Sequence, residues 1–255
     1  MKLKKYALFN GLILAAGRGS RLNNLTTHKP KSFLKFNNNI RIIDHLINNF
    51  KNSKIDNVNI VVGYKKNNFK KIKNVNLIFN KQWNKTSIVG SLIAADEILK
   101  KKISIISYSD IVFNKKAIKL LLNSKKIKNN ILILNNKNWK KYWSQRFKNP
   151  LDDLETFKIS KKKYLLSIGK KTNNINDING QFMGLFSICP SIWKKIRKII
   201  FKNYKKMSQY DITKLLSVLI SKYQIKNISV IDYNNYWYEI DNKNDYKLLR
   251  EAKIK

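Results

Sequence analysis

The stretch Gly11–Lys31, GLILAAGRGSRLNNLTTHKPK, holds the residues whose types and spacing most directly suggest chemistry. An apolar run opens into a turn carrying Gly17 and Gly19, two of only eight glycines in the chain. Backbone N–H groups that glycine leaves unobstructed can point into such a loop. Arg18, Arg21, Lys29 and Lys31 bring positive charge to where phosphate oxygens would sit. The pattern suits a polyphosphate. It is neither of the two common phosphate loops: no Gly-Lys-Ser/Thr closes it as in a P-loop, and Leu22 stands where a dinucleotide fingerprint requires a third small residue.

What remains, G-x-G-S-R-L followed after a Thr-rich spacer by Pro30-Lys31, resembles the signature of nucleotidyltransferases that join an NTP to a phosphorylated acceptor and release pyrophosphate. A Gly-rich turn that binds nothing is the structural alternative. Nucleotidyl transfer is an in-line attack of a phosphate oxygen on the α-phosphorus and needs no covalent intermediate. Charge is the obstacle, so the triphosphate needs cations. A magnesium ion must also bring the two anions together, held by one or two carboxylates with its other positions left to phosphate and water. Asp110, directly after the run ISIISYS, is one candidate ligand; Asp241, in WYEIDNKNDY, is the other.

The elements that must position these groups are legible as short apolar runs alternating with helix-period segments, the pattern of a parallel sheet with crossover helices. Strands are predicted at Leu12–Ala15, Val58–Val62, Leu77–Phe79, Ile103–Tyr108, Ile131–Leu134 and Ile228–Ile231. Ile88, Leu92, Ala95 and Leu99 mark one face of a helix opened by Thr86 or Ser87. Further helices are expected around Ile192–Ile200 and Ile212–Ile220, and Asn242 with Asp245 forms a capping pair for a last one. Phe157–Ile159 and Tyr164–Ile168 flank a lysine-rich turn as a hairpin would. In such sheets ligands gather at the carboxyl ends of the strands. The glycine loop, Gly63-Tyr64, Asn80 and Asp110 all follow strands and converge on one rim.

The resemblance then extends from Gly11 to about Arg250. LILAAGRGSRL with KPK, IVVGYKK, NKQWNKTSIVGSL, YSD, GQFMGLFSI and YEIDNKNDYKLL, in that order, are similar to pieces of the phosphocholine cytidylyltransferase-like branch, which includes phosphonate-associated cytidylyltransferases. The resemblance implies a Rossmann-like mixed, mostly parallel α/β sheet with helices on both faces and a small β-hairpin insertion. With 255 residues and no Gly/Ser- or Pro-rich stretch that reads as a linker, one nucleotidyltransferase domain is expected over residues 1–255. The resemblance also implies nucleotide contacts from Leu14, Ala15, Ala16, Gly17, Gly19, Ser20, Arg21, Tyr64, Asn80, Ser87 and Ser91. Arg18 and Lys31 would act on the reacting phosphates, and Asp110 and Asp241 would hold Mg2+. Glu239, two residues before Asp241, would share a strand face with it and so support the metal or the acceptor. The segment NWKKYWSQRFKNPLDDLET offers aromatic faces and carboxylates for a cationic amine in Trp139, Trp143, Asp152 and Asp153, with Arg146 for a phosphate or phosphonate. It differs from the phosphocholine enzymes themselves, which argues against choline.

Each of these residues also has a purely structural reading. An aromatic stripe at helical spacing is often core, which applies to Trp139 and Trp143. Asp152 and Asp153 could neutralise neighbouring lysines, Asp110 could form a turn, and Asp241 could start a helix. Asp211 before its helix reads as an N-cap. His28 and His45 are not spaced as metal ligands.

The net charge of +38 is the one feature that points elsewhere, to nucleic acid. Only six of the 53 basic residues are arginine, the usual reader of base edges, and the lysines are spread along the whole chain. Weak, salt-sensitive attraction to any polyanion is expected, without specific nucleic-acid binding. No run approaches the roughly 20 apolar residues of a membrane span. The basic, apolar N-terminus could pass for a signal peptide, but Asn10 and Gly11 interrupt it and cleavage near Ala16 would destroy the loop. Cys189 is the sole cysteine, so a cytoplasmic location is expected. The leading expectation is CTP plus a small phospho- or phosphono-acceptor, with homodimerisation compatible. A sugar-1-phosphate enzyme using UTP or dTTP is the first alternative, and a nucleic-acid-binding protein the second.

Overall fold

A computed structural model describes residues 8–147, 155–252 and 254. Its strands, in chain order, are β1 (Phe9–Ala15), β2 (Lys35–Phe36), β3 (Ile40–Arg41), β4 (Val58–Val62), β5 (Asn76–Phe79), β6 (Ile103–Tyr108) and β7 (Ile111–Phe113). They continue with β8 (Ile131–Asn136), β9 (Glu155–Ile159), β10 (Leu165–Lys171), β11 (Gln181–Ile188), β12 (Ile228–Tyr233) and β13 (Trp237–Glu239). Seven of them form one sheet in the order β12-β8-β11-β6-β1-β4-β5. All neighbours run parallel except β11, which is antiparallel to both β6 and β8. The sheet is therefore mixed and mostly parallel, as expected, and β9 with β10 makes the antiparallel hairpin.

Side chains that alternate across a strand build two cores, one on each face. Along β1, Phe9, Ile13 and Ala15 join the core covered by helices Ile42–Asn52, Lys116–Asn123 and Trp139–Arg146. Leu12, Leu14 and Ala16 join the core under helices Ile88–Ala94, Pro190–Lys202 and Ile212–Ser221. Burial on both faces explains why these strands are near-continuous apolar runs.

Two local features differ from the sequence reading. The single helix expected over Ile88–Leu99 is two pieces, Ile88–Ala94 and Asp96–Leu99, broken at Ala95 where ψ moves to 15°. The central strand β11 lies in GQFMGLFSI, where glycines mask the strand signal. Gly184 takes φ +69° at the point where the β11–β8 register shifts, a backbone that favours glycine.

A two-stranded ribbon off the main sheet matters most for function. β13 pairs antiparallel with β7, setting Glu239 opposite Ile111, and the Ile240 N–H donates to the Asp110 carbonyl at 2.9 Å. That pairing brings the tail of the chain to the carboxyl end of β6. Asn242 and Asp245 then form the expected reciprocal cap on helix Lys243–Glu251.

Candidate active site

Gly19 has φ +68°, a left-handed conformation that costs a side-chain-bearing residue, and it turns the chain from β1 into a 3-10 segment at Ser20–Thr26. Thr26 Oγ1 donates to the Gly19 carbonyl at 3.0 Å. The Tyr64 hydroxyl sits 3.0 Å from the Thr26 carbonyl and 2.7 Å from that of Thr27, and the Tyr64 N–H donates to Ala16. Tyr64 thus braces the loop from behind. Its ring also lies 5.7 Å from the exposed Arg18 guanidinium.

At Gly17 a Cβ would meet nothing within 4 Å, because the residue borders a cavity of about 460 Å³. Leu14, Ala16, Arg18, Ser87 and Ser91 line the same cavity. Ala15 points into the opposite core, so only its backbone can face the loop, and Ser20 is exposed at the rim. Asn80 is buried and holds the far wall. Its amide donates to Thr86 Oγ1 at 3.2 Å and its Oδ1 accepts from the Gln82 N–H at 3.0 Å, so it shapes the loop. Trp83, Asn84, Thr86 and Ile88 also line the cavity; Thr86 and Ile88 had been read only as helix-forming residues, and Trp83 and Asn84 had no assigned role. All four lie within NKQWNKTSIVGSL, so the signal was present in the motif without indicating which side chains turn inward.

The acidic end is built by the β7–β13 ribbon. Lys31 Nζ lies 2.5 Å from Asp110 Oδ2 and 3.5 Å from Asp241 Oδ1, so two aspartates 131 positions apart in sequence meet on one ammonium. Arg21 Nη2 reaches Asp241 Oδ1 at 3.0 Å. The buried Asp110 Oδ1 has no hydrogen-bond partner among the described residues. Burial by itself would pull the Lys31 ammonium down, but Asp110, Asp241 and Glu239 outweigh it and hold its pKa above the ordinary value. Burial, with Asp241 and Asp110 nearby, pushes the Glu239 carboxyl up to about 8.

Asp110 and Asp241 already share the Lys31 ammonium, yet the buried Asp110 Oδ1 keeps no partner, an oxygen that suits a divalent cation. Among the described residues no three His, Cys, Asp or Glu side chains form a metal cage. A pair of carboxylates with phosphate and water completing the shell is the habit of magnesium rather than of a structural metal.

The acceptor residues fare differently. Trp139 and Trp143 are buried in the core; Trp143 lies parallel to Trp237 with ring centres 6.2 Å apart. They offer no free face to a ligand. The Arg146 side chain is 2% exposed and spends its guanidinium on Asp245, Nε to Oδ1 at 2.8 Å and Nη2 to Oδ2 at 3.0 Å, which takes it out of reach of an acceptor phosphate. The helix expected from the spacing at Trp139–Arg146 is present, and of the two readings of its aromatic stripe the core one describes Trp139 and Trp143. Asp152 and Asp153 lie outside the described residues. Asp211 is the N-cap of its helix, accepting from the Lys214 N–H at 2.7 Å. His45 is likewise structural, its Nε2 2.9 Å from the Phe113 carbonyl.

A glycine loop at the carboxyl end of a mostly parallel sheet, beside a lysine bridging two aspartates, defines a nucleotidyltransferase. Residues 11–165 match the MobA-like NTP transferase domain, and the chain belongs to that family. It is 33% identical to the CTP:phosphoglutamine cytidylyltransferase of Campylobacter jejuni over 95% of this chain and 99% of that protein. Its fold matches the CTP:phosphocholine cytidylyltransferase of Streptococcus pneumoniae with TM-score 0.70 at 19% identity, covering 95% of this chain and 98% of that one. The inositol-1-phosphate CTP transferase of T. maritima matches with TM-score 0.74 at 17% identity, over 94% of each chain. Among the described residues no helix is long and apolar enough to cross a membrane.

Proposed function

We propose that the protein is a magnesium-dependent cytidylyltransferase that transfers CMP from CTP to a small phosphorylated or phosphonylated acceptor. An oxygen of the acceptor's phosphate or phosphonate attacks the α-phosphorus. A new P–O–P bond forms, the bond between the α-phosphorus and the β-phosphate oxygen breaks, and pyrophosphate leaves. The convergence of Asp110 and Asp241 on Lys31, beside the Gly17–Arg21 loop, carries this reading.

The loop N–H groups with Arg18 and Arg21 would bind the triphosphate. Leu14, Gly17, Ser87 and Ser91 would border the nucleoside, and Lys31 would offset charge on the reacting phosphates. Asp110 and Asp241 would hold magnesium, which when bound neutralises the charge between donor and acceptor. Glu239 would face the acceptor side of that pair.

The full-length likeness to a cytidylyltransferase supports CTP and a non-sugar acceptor over UTP or dTTP and a sugar phosphate. Phosphoglutamine, named for that relative, is the first acceptor to test. Residues 1–255 are read as one domain, supported by the way β11 and β12 complete a sheet begun by β1. A cytoplasmic setting suits its nucleotide substrate.

The test is pyrophosphate release from each of the four NTPs and dTTP against phosphoglutamine, phosphocholine, 2-aminoethylphosphonate, hydroxyalkylphosphonates and sugar phosphates. CTP with one of the non-sugar acceptors should exceed every other pairing by at least about tenfold. Preference for UTP or dTTP with a sugar phosphate would overturn the proposal.

A further inference from the structure

The helix Trp139–Arg146 grips the segment that carries Glu239 and Asp241 at two points. The Tyr142 hydroxyl donates to the Glu239 carbonyl at 2.9 Å and accepts from the Glu239 N–H at 3.0 Å. One turn further on, Arg146 makes its paired hydrogen bonds to Asp245. The same Asp245 Oδ2 accepts from the Asp241 N–H at 2.9 Å and the Asn242 N–H at 3.2 Å. One fully buried carboxylate therefore ties a guanidinium to the two peptide units at and after the candidate metal ligand.

Arg146 also faces Asp241 directly, Nη2 to Oδ2 at 3.6 Å, and Glu239, Nη1 to Oε2 at 3.8 Å. Both separations exceed hydrogen-bond length, so these carboxylate oxygens stay available to another cation. The rings of Tyr142, Trp143 and Phe147 stand 5.4, 4.9 and 5.1 Å from the guanidinium carbon and close off water. A buried ion pair is no better for stability than apolar side chains of the same volume, so this arrangement calls for another explanation.

We propose that Arg146 and Asp245 are positioning residues for nucleotidyl transfer, a buried pair that fixes the backbone at Asp241–Asn242 and so aims the Asp241 carboxylate at Asp110. The inference rests on the proposed function. It assigns Arg146 to the support of the metal ligand, with no direct contact to the acceptor. Partners of this kind behind a metal ligand are worth about 10- to 100-fold in metal affinity.

The test is Mn2+ binding, followed by electron paramagnetic resonance, with a non-hydrolysable CTP analogue present. Variants are Arg146→Met/Asp245→Leu, which removes both charges together, Arg146→Lys, which keeps the charge but loses the paired geometry, and Asp241→Asn as reference. In the paired variant, with circular dichroism and Tm near those of the parent, Mn2+ affinity should fall at least tenfold. Arg146→Lys should lose several-fold and decides the matter if the paired variant does not fold. Unchanged affinity in the folded paired variant, or in Arg146→Lys where that one decides, overturns the inference. Unchanged affinity in Asp241→Asn instead overturns the metal reading beneath it, so the two failures are distinguishable.

Discussion

The two ends of the site are built on opposite principles. At the nucleotide end the working groups are backbone N–H donors and exposed cations on one contiguous loop, next to an open cavity; the Arg21 side chain is 72% exposed. At the carboxylate end the groups are side chains drawn from β6–β7, β13 and two helices, and their supports are buried. The first end can tolerate change around it, because its geometry is local. The second depends on pairings across most of the chain and should fail cooperatively.

That contrast can be broken or sharpened by substitution. The largest effects belong to the residues where the two ends meet. Lys31→Ala and Asp110→Asn should each reduce turnover at least about 100-fold with Tm little changed, as measured by pyrophosphate release and thermal melting. Near-normal rates in both would remove their assigned roles.

Trp143→Ala comes next and separates core from ligand contact. Truncating a buried tryptophan should cost about 3–5 kcal/mol in urea unfolding. The KM for the acceptor in the surviving folded enzyme should stay within a few-fold. A selective rise in that KM with stability preserved would return Trp143 to the acceptor.

At the nucleotide end a smaller, more specific effect is expected. Gly17→Val should raise the KM for CTP about tenfold by putting its side chain into the open space, while acceptor KM and Tm hold. Gly19→Ala should instead lose about 1–2 kcal/mol of stability, because its backbone is left-handed and a Cβ there would stand 3.0 Å from that of Lys31.

The smallest effect is a pH dependence at the base of the carboxylate ribbon. Burial, partly opposed by its contact with the Phe113 carbonyl, lowers the His45 pKa. The unfolded chain therefore takes up the proton first as pH falls, and stability present above about pH 6.5 is progressively lost toward the lower folded value. His45→Gln should flatten Tm against pH in that window; an unchanged slope would assign it to other groups.

These contrasts also explain what could be read from the amino acids alone. The glycine loop, the strands Val58–Val62 and Ile103–Tyr108 and the Asn242–Asp245 cap were legible because each is encoded within a few consecutive residues. Asp110 and Asp241 were singled out by position, one directly after a strand run and the other just ahead of the last helix. Arg146 was misread because its partner Asp245 lies 99 positions away, and neither helical spacing nor charge indicates which side chain will neutralise a guanidinium. Trp83 was passed over and Thr86 read only as a helix opener, since only the folded loop turns them toward the cavity. Strand β11 hid behind Gly184, whose left-handed backbone stands where the register with β8 shifts and where Tyr108 of β6 leaves no room for a side chain.

The central claim is that Asp110 and Asp241 work as one unit, and a double-mutant cycle on CTP-dependent turnover tests it most directly. With Asp110→Asn, Asp241→Asn and the double variant compared at saturating Mg2+, the double variant should lose no more than about the larger of the two single losses. Losses that multiply would mean that the two carboxylates act independently, contradicting a shared site.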